Sequence, residues 1–283
     1  MAISSADTVT ATLSYFTPPA DGSEPYNYIT WDPKWGVKQR NWEKEPHEVQ
    51  IENLRGKEHT VSLDTTGFEY HRRAAAHKTF ENDEVVQREY YPESIQLVKE
   101  LTGASRVVPF DHTIRRRTNE PEGEAEDTPD KRKPVPLVHI DQTTQSATAR
   151  VHRHLPAEDV PKLLAGRFQI INLWRPISHP AYDWPLALCD YRSVDPAHDL
   201  VPTKLKYPDH DGETYSVKFN PGYRWKYLRG MEPDEFVLIK CFDSRNDGKT
   251  ATFTPHTAFE DPTTPKDAPL RESIELRLLV FYD

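Results

Sequence analysis

Three residues have the types and spacing to hold a transition metal: His139, Asp141 and His256. His139 and Asp141 stand at i and i+2, in the run PLVHID. On a strand, residues so spaced point to one face, so an imidazole and a carboxylate can share an ion without bending the backbone. A second histidine from a distant strand would complete a facial triad, leaving three positions open on one side of an octahedral ferrous ion. An H-x-D alone reads more readily as a structural His–Asp pair, because such pairs are common.

A second constellation changes the odds. Downstream of His256 come Arg271 and Ser273, again at i and i+2, opening an apolar run. A guanidinium presents a planar fork that matches a carboxylate, and a serine hydroxyl can add one more bond. The order H-x-D, several short strands, His, then R-x-S before a last strand is the arrangement that 2-oxoglutarate oxygenases use. Competing sites are weaker. His152 and His154 are flanked by Arg150 and Arg153, which disfavour a nearby cation. His210 lies in a turn-like segment. His112 precedes the basic run Arg115–Arg117, which could grip a carboxylate but reads better as structural. No G-x-S-x-G occurs, and neither Cys189 nor Cys241 has a base beside it.

The elements around these residues read as short strands. Residues 8–16 alternate and are rich in Thr and aromatics, as an outer strand would be. Strands are expected at 47–54, 59–63, 168–174, 214–219, 223–228, 235–242 and 273–282, with Ile274, Leu276, Leu278, Val280 and Tyr282 on one face of the last. Helices are expected at 93–102 and 157–165, each stopped by a glycine. The pattern predicts a mainly β fold with flanking helices, a barrel or sandwich; the likeness of the motif order to that of 2-oxoglutarate oxygenases implies, within that class, a double-stranded β-helix (jelly-roll, cupin-like) core. One oxygenase domain over 1–283 accounts for the length. The run 119–133, acidic and then basic, is expected to be a flexible loop.

Composition narrows the partners. The net charge of −9 repels phosphate backbones, which argues against nucleic acid. No stretch approaches the length of a membrane span, and the polar start shows no secretory signal, so a cytoplasmic protein is expected. Two cysteines make no disulfide framework. The 6 Trp, 13 Tyr and 11 Phe suit a pocket for a bulky, largely apolar small molecule of terpenoid or polyketide type. Segments Tyr26–Trp42, Trp174–Trp184 and Tyr223–Tyr227 are candidate mouth residues. A homodimer is compatible with all of this.

The stretches VPFDHTIRRR, PVPLVHIDQT, INLWRPI, PLALCDYRSV, DEFVLIKCFDS and PHTAFEDPTTP, with the closing APLRESIELRLLVFY, are distinctive. On them the chain resembles the fungal asaB / gibberellin-desaturase-like family of non-haem iron oxygenases. That family includes a fumigatonoid-forming endoperoxidase and is related to the partner chain of a bacterial cephalosporin 7-alpha-methoxylase. The resemblance implies an enzyme of secondary-metabolite biosynthesis that uses Fe(II), 2-oxoglutarate and dioxygen. His139, Asp141 and His256 would be the metal ligands, and Arg271, with Ser273, the cosubstrate anchor. Hydroxylation, desaturation, rearrangement and endoperoxide formation all remain open. Many relatives have His where this chain has Tyr223, which would make Tyr223 a variable pocket residue. The alternative is a non-catalytic accessory protein on the same fold, serving a partner enzyme.

Overall fold

A computed structural model describes residues 7–118 and 133–283; the loop expected at 119–133 lies outside them except for Lys133. The alternating N-terminal run forms β1 (Thr8–Thr17). It is followed by the short β2 (Tyr26–Tyr28) and by β3 (Glu43–Asn53), which pairs antiparallel with β1. Next come β4 (Phe68–Arg72), the helix Tyr91–Thr102 and β5 (Arg106–Arg116). The helix begins with Pro92 in its first turn and ends at Gly103, whose φ of 72° suits a residue without Cβ. A strand of only two residues, β6 (His139–Ile140), precedes the helix Thr144–His154. The fully buried β7 (Phe168–Pro176) is followed by β8 (Leu186–Cys189), β9 (Leu200–Lys206) and β10 (Asp211–Val217). The chain closes with β11 (Trp225–Tyr227), β12 (Glu235–Asp243), β13 (His256–Ala258) and β14 (Glu272–Phe281).

These strands form two sheets. Nine run in the order β1-β3-β11-β8-β13-β6-β10-β9-β2, and five in the order β4-β12-β7-β14-β5. Apart from the β9–β10 pair, all neighbours are non-consecutive, as in a jelly roll, and the expected double-stranded β-helix class holds. β1 lies at a sheet edge, as its half-polar alternation implies. Ile170, Trp174, Val237 and Ile239 of the five-stranded sheet pack with Leu186 and Leu188 of the nine-stranded one. The other face of the smaller sheet, with Ile171, Leu173, Leu238, Ile274, Leu276, Leu278 and Val280, packs on Leu97 and Val98 of the helix Tyr91–Thr102. Both faces of that sheet are therefore covered, which is why β7 and β12 read as continuous apolar runs.

An expectation fails locally. Residues 59–63 form no strand: Glu58–Thr60 is a short 3-10 turn, and the Ser62 carbonyl accepts the amides of Thr65, Thr66 and Gly67. His152 and His154, set aside above as ligands, lie in the helix Thr144–His154, which starts on a Thr143–Ser146 capping box.

Candidate metal centre

The local pairing places the two histidines directly. β6 is squeezed between β13 and β10, and His256 is the register partner of His139. Their rings lie 4.5 Å apart. Each ring is oriented from behind by a carbonyl two residues upstream: His139 Nδ1 is 2.8 Å from Leu137 O, and His256 Nδ1 is 3.0 Å from Thr254 O. A carbonyl can only accept, so each Nδ1 carries the proton and each Nε2 lone pair faces inward, the tautomer a metal needs. Asp141 Oδ1 lies 3.3 Å from His139 Nε2 and 3.8 Å from His256 Nε2. Cis ligands on bonds of about 2.1 Å sit about 3 Å apart, so small side-chain movements suffice to close on an ion.

The far oxygen of Asp141 is held by the opposite sheet. Asn172 Nδ2, on β7, donates to Oδ2 at 2.8 Å. Arg277 Nε, on β14, is 3.6 Å away, and Cys241 Sγ, on β12, is 3.8 Å away. Burial opposes the charge on Asp141, yet His139, His256 and Arg277 hold its pKa well below the carboxylate range. Burial likewise opposes a charged His139, but the hydrogen bond and charge of Asp141 raise its pKa. Burial and then the positive His139 lower that of His256. The cluster is a carboxylate with two imidazoles that compete for one proton, and a divalent cation can take that proton's place.

Arg271 and Ser273 lie at the start of β14, and both are buried. The Arg271 backbone N–H donates to Asp183 Oδ2 at 2.9 Å, and its side chain donates to the Trp184 carbonyl at 2.6 Å. Among the described residues, Trp184 is the one non-glycine residue with positive φ, at 46°. The Arg271 guanidinium sits 5.5 Å over the Trp174 ring. Arg271 Nε and Ser273 Oγ have no hydrogen-bond partner. Burial, with Arg115 nearby, pushes the Arg271 pKa down to about 9. Among the described residues no carboxylate lies within ion-pair distance of this guanidinium. A buried cation and a buried hydroxyl left unpaired are costly, and a bound carboxylate would satisfy both. The donors present therefore fit both a ferrous ion and the far end of a dicarboxylate.

The structure brings His139, Asp141 and His256 together and sets Arg271 and Ser273 apart as a second, unpaired pair. Sequence reasoning missed Asn172, Glu275 and Arg277. Glu275 acts electrostatically on His139, His256 and Arg271 alike. A signal for two of them existed: Arg271, Ser273, Glu275 and Arg277 recur at every second position, opposite the apolar face of β14. The other histidines serve elsewhere. His154 stacks on Phe110, His210 stacks on Tyr207, and His112 contacts Tyr91 and Asp83. Tyr223 is not a pocket residue. It is buried in a core cluster with Tyr15 and Trp225, and its hydroxyl donates to the Lys218 carbonyl at 3.0 Å. Trp225 and Tyr227 are likewise core, because β11 is an inner strand; Trp42 does reach the cavity. That cavity, of about 420 Å³, opens beside His139 and Asp141. Among the described residues no helix is long and apolar enough to cross a membrane.

Comparison with known proteins agrees over nearly the whole chain. The profile of the family described as "Oxidoreductase/YMDC permease-like domain" matches residues 13–281. The hydroxylase/desaturase efuI of Hormonema carpetanum is 36% identical over 98% of this chain and 96% of its own length. The Fe(II)/2-oxoglutarate-dependent dioxygenase nvfI of Aspergillus novofumigatus is 33% identical over 94% of each. A solved structure of the iron and alpha-ketoglutarate-dependent endoperoxidase NvfI superposes with a TM-score of 0.87 at 30% identity, covering 98% of this chain and 99% of that one.

Proposed function

The chain belongs to the family of fungal Fe(II)/2-oxoglutarate-dependent oxygenases, and from that premise we propose that His139, Asp141 and His256 hold the ferrous ion while Arg271 and Ser273 hold the far carboxylate of 2-oxoglutarate. It is a dioxygenase of secondary metabolism, with iron as cofactor and 2-oxoglutarate and dioxygen as cosubstrates. Iron bound here would supply the oxidising power, which comes from dioxygen and is unlocked by the two electrons that oxidative decarboxylation of 2-oxoglutarate gives. The protein supplies position. The carbonyls of Leu137 and Thr254 fix both imidazole tautomers. Asn172 and Arg277 keep Asp141 Oδ1 turned to the histidines. Trp174 and the apolar side chains between the sheets keep water from the Arg271 guanidinium, so its fork meets a carboxylate undiluted by solvent.

The observation that carries this reading is the pair of unpartnered groups, Arg271 Nε and Ser273 Oγ, buried on the strand that follows the second histidine. A non-catalytic accessory chain would have no use for a buried cation without a counter-ion. The substrate is read as a small molecule with a bulky apolar body, since Ile29, Trp42, Leu137 and Leu205 are among the residues that line the cavity. The reading takes residues 1–283 as one domain in the cytoplasm, with dimerisation to be measured by light scattering. The test is anaerobic titration of iron and 2-oxoglutarate into the metal-free protein. A ferrous–oxoglutarate charge-transfer band with one iron per chain is expected. Its absence would sink the assignment.

A further inference from the structure

The cavity beside the triad has an imbalance of charge. Its wall carries three guanidiniums, Arg115, Arg150 and Arg277, against one acid outside the metal centre, Asp111. Asp111 is engaged by Arg277 at 3.2 Å, and Arg277 also pairs with Glu275 at 2.5 Å. Arg115 donates to the Lys133 carbonyl at 2.7 Å. Arg150 differs from both. It is half-buried, its guanidinium lies 5.3 Å over the Phe110 ring, and among the described residues no carboxylate is within ion-pair distance of it. Burial, reinforced by Arg153 and Arg277, lowers its pKa, the signature of a cation that has lost water without gaining an anion.

The backbone fixes where this cation stands. The helix Thr144–His154 begins two residues after Gln142, and its capping box at Thr143 and Ser146 ties the first turn down next to Asp141. At 1.5 Å of rise per residue, Arg150 sits about 10 Å along the helix from that cap. A metal ligand and an unpaired guanidinium are thus mounted on one rigid piece of chain and face one cavity. Leu137, Leu205, Trp42 and Ile29 line the same cavity and give it an apolar surface.

We propose that Arg150 selects the substrate: it pairs with a carboxylate on the metabolite, whose apolar body spans the cavity and whose reacting carbon faces the triad. This rests on the metal-centre reading above. A guanidinium fork suits a planar carboxylate in two parallel bonds, and the Phe110 ring behind it holds the plane of the fork.

The experiment uses the full chain, metal-free and also loaded anaerobically with iron and 2-oxoglutarate. A panel of polycyclic carboxylic acids, each beside its methyl ester, is titrated and read by tryptophan fluorescence and calorimetry. At least one acid should bind about 10- to 100-fold more tightly than its ester. Arg150→Gln should erase that difference and leave ester affinity, melting temperature and the charge-transfer band unchanged. Arg150→Lys should restore part of it. Acids and esters that bind alike, a panel in which no acid binds, or an acid preference that survives Arg150→Gln would each overturn the proposal. Loss of the charge-transfer band in the unsubstituted chain would instead remove the metal-centre reading. The metal-free titration still reports on Arg150 in that case, so the two failures are distinguishable.

Discussion

Asp141 uses its two oxygens for different tasks. Oδ1 faces the imidazoles, and Oδ2 is gripped by Asn172 from the other sheet. Asn172→Leu removes the grip and leaves the ligand set intact. Iron affinity should fall about 10- to 100-fold, the usual cost of losing a group that orients a ligand, as measured by competition with a chelator; unchanged affinity would show that Asn172 is only packing. His256→Ala should lose iron itself, and retention of one tight iron per chain would mean that another residue is the third ligand. Arg271→Lys keeps the charge but not the paired planar donors. A poorly paired, desolvated carboxylate costs roughly 2–4 kcal/mol, so 2-oxoglutarate affinity should drop roughly 30- to 1,000-fold with iron binding retained. Two other buried cations of the smaller sheet, Arg175 and Lys240, are engaged elsewhere: Arg175 donates to the Arg73 carbonyl, and Lys240 pairs with Asp64 and Asp243.

Elements show how far the sequence could be read. The long strands β7, β12 and β14 and the helix Tyr91–Thr102 were legible, because ten or so residues of pattern lie on each. The strands that carry the histidines were legible only as motifs. β6 has two residues and β13 three, too few for a period to appear. The helix Thr144–His154 was hidden by its Ser, Thr and Arg content and by a capping box closed with Ser146 rather than Glu or Gln. Which oxygen of Asp141 meets Asn172 is a cross-sheet fact that no local pattern encodes. Gly67 was equally invisible. Its φ is +90°, and a Cβ there would lie 2.3 Å from Thr254 Oγ1 and 2.7 Å from the Phe253 carbonyl. Thr254 in turn supplies the carbonyl behind His256. Gly67→Ala should therefore cost on the order of 2–4 kcal/mol in urea unfolding and weaken iron binding as well; a normal unfolding midpoint would show that the backbone relaxes there freely.

At the scale of the whole molecule, one buried charge network should contribute to acid stability. Asp243 is enclosed with Arg167 at 2.6 Å and Lys240 at 2.9 Å. Burial would raise its pKa, but these two cations hold it below the ordinary carboxylate value. The folded state thus binds this proton less readily than the unfolded chain. The stabilisation is complete above the unfolded carboxylate pKa of about 4 and is lost as pH falls through the depressed folded value. Urea unfolding should show stability dropping steeply below about pH 4, and Asp243→Asn should flatten that slope; an unchanged slope would place the acid sensitivity elsewhere. Asp141, meanwhile, bridges the sheets, with both histidines on the larger one and Asn172 on the smaller. In mechanical terms that makes it half of a rivet, and a ferrous ion held on the proposed ligands would be the other half. Loading at about 100 times the dissociation constant should add about 2.7 kcal/mol to the folded state. Hydrogen exchange would show where: the amides of β6 and β13, too short to protect themselves, should slow on loading, while those of β12, already locked on both sides, should not change.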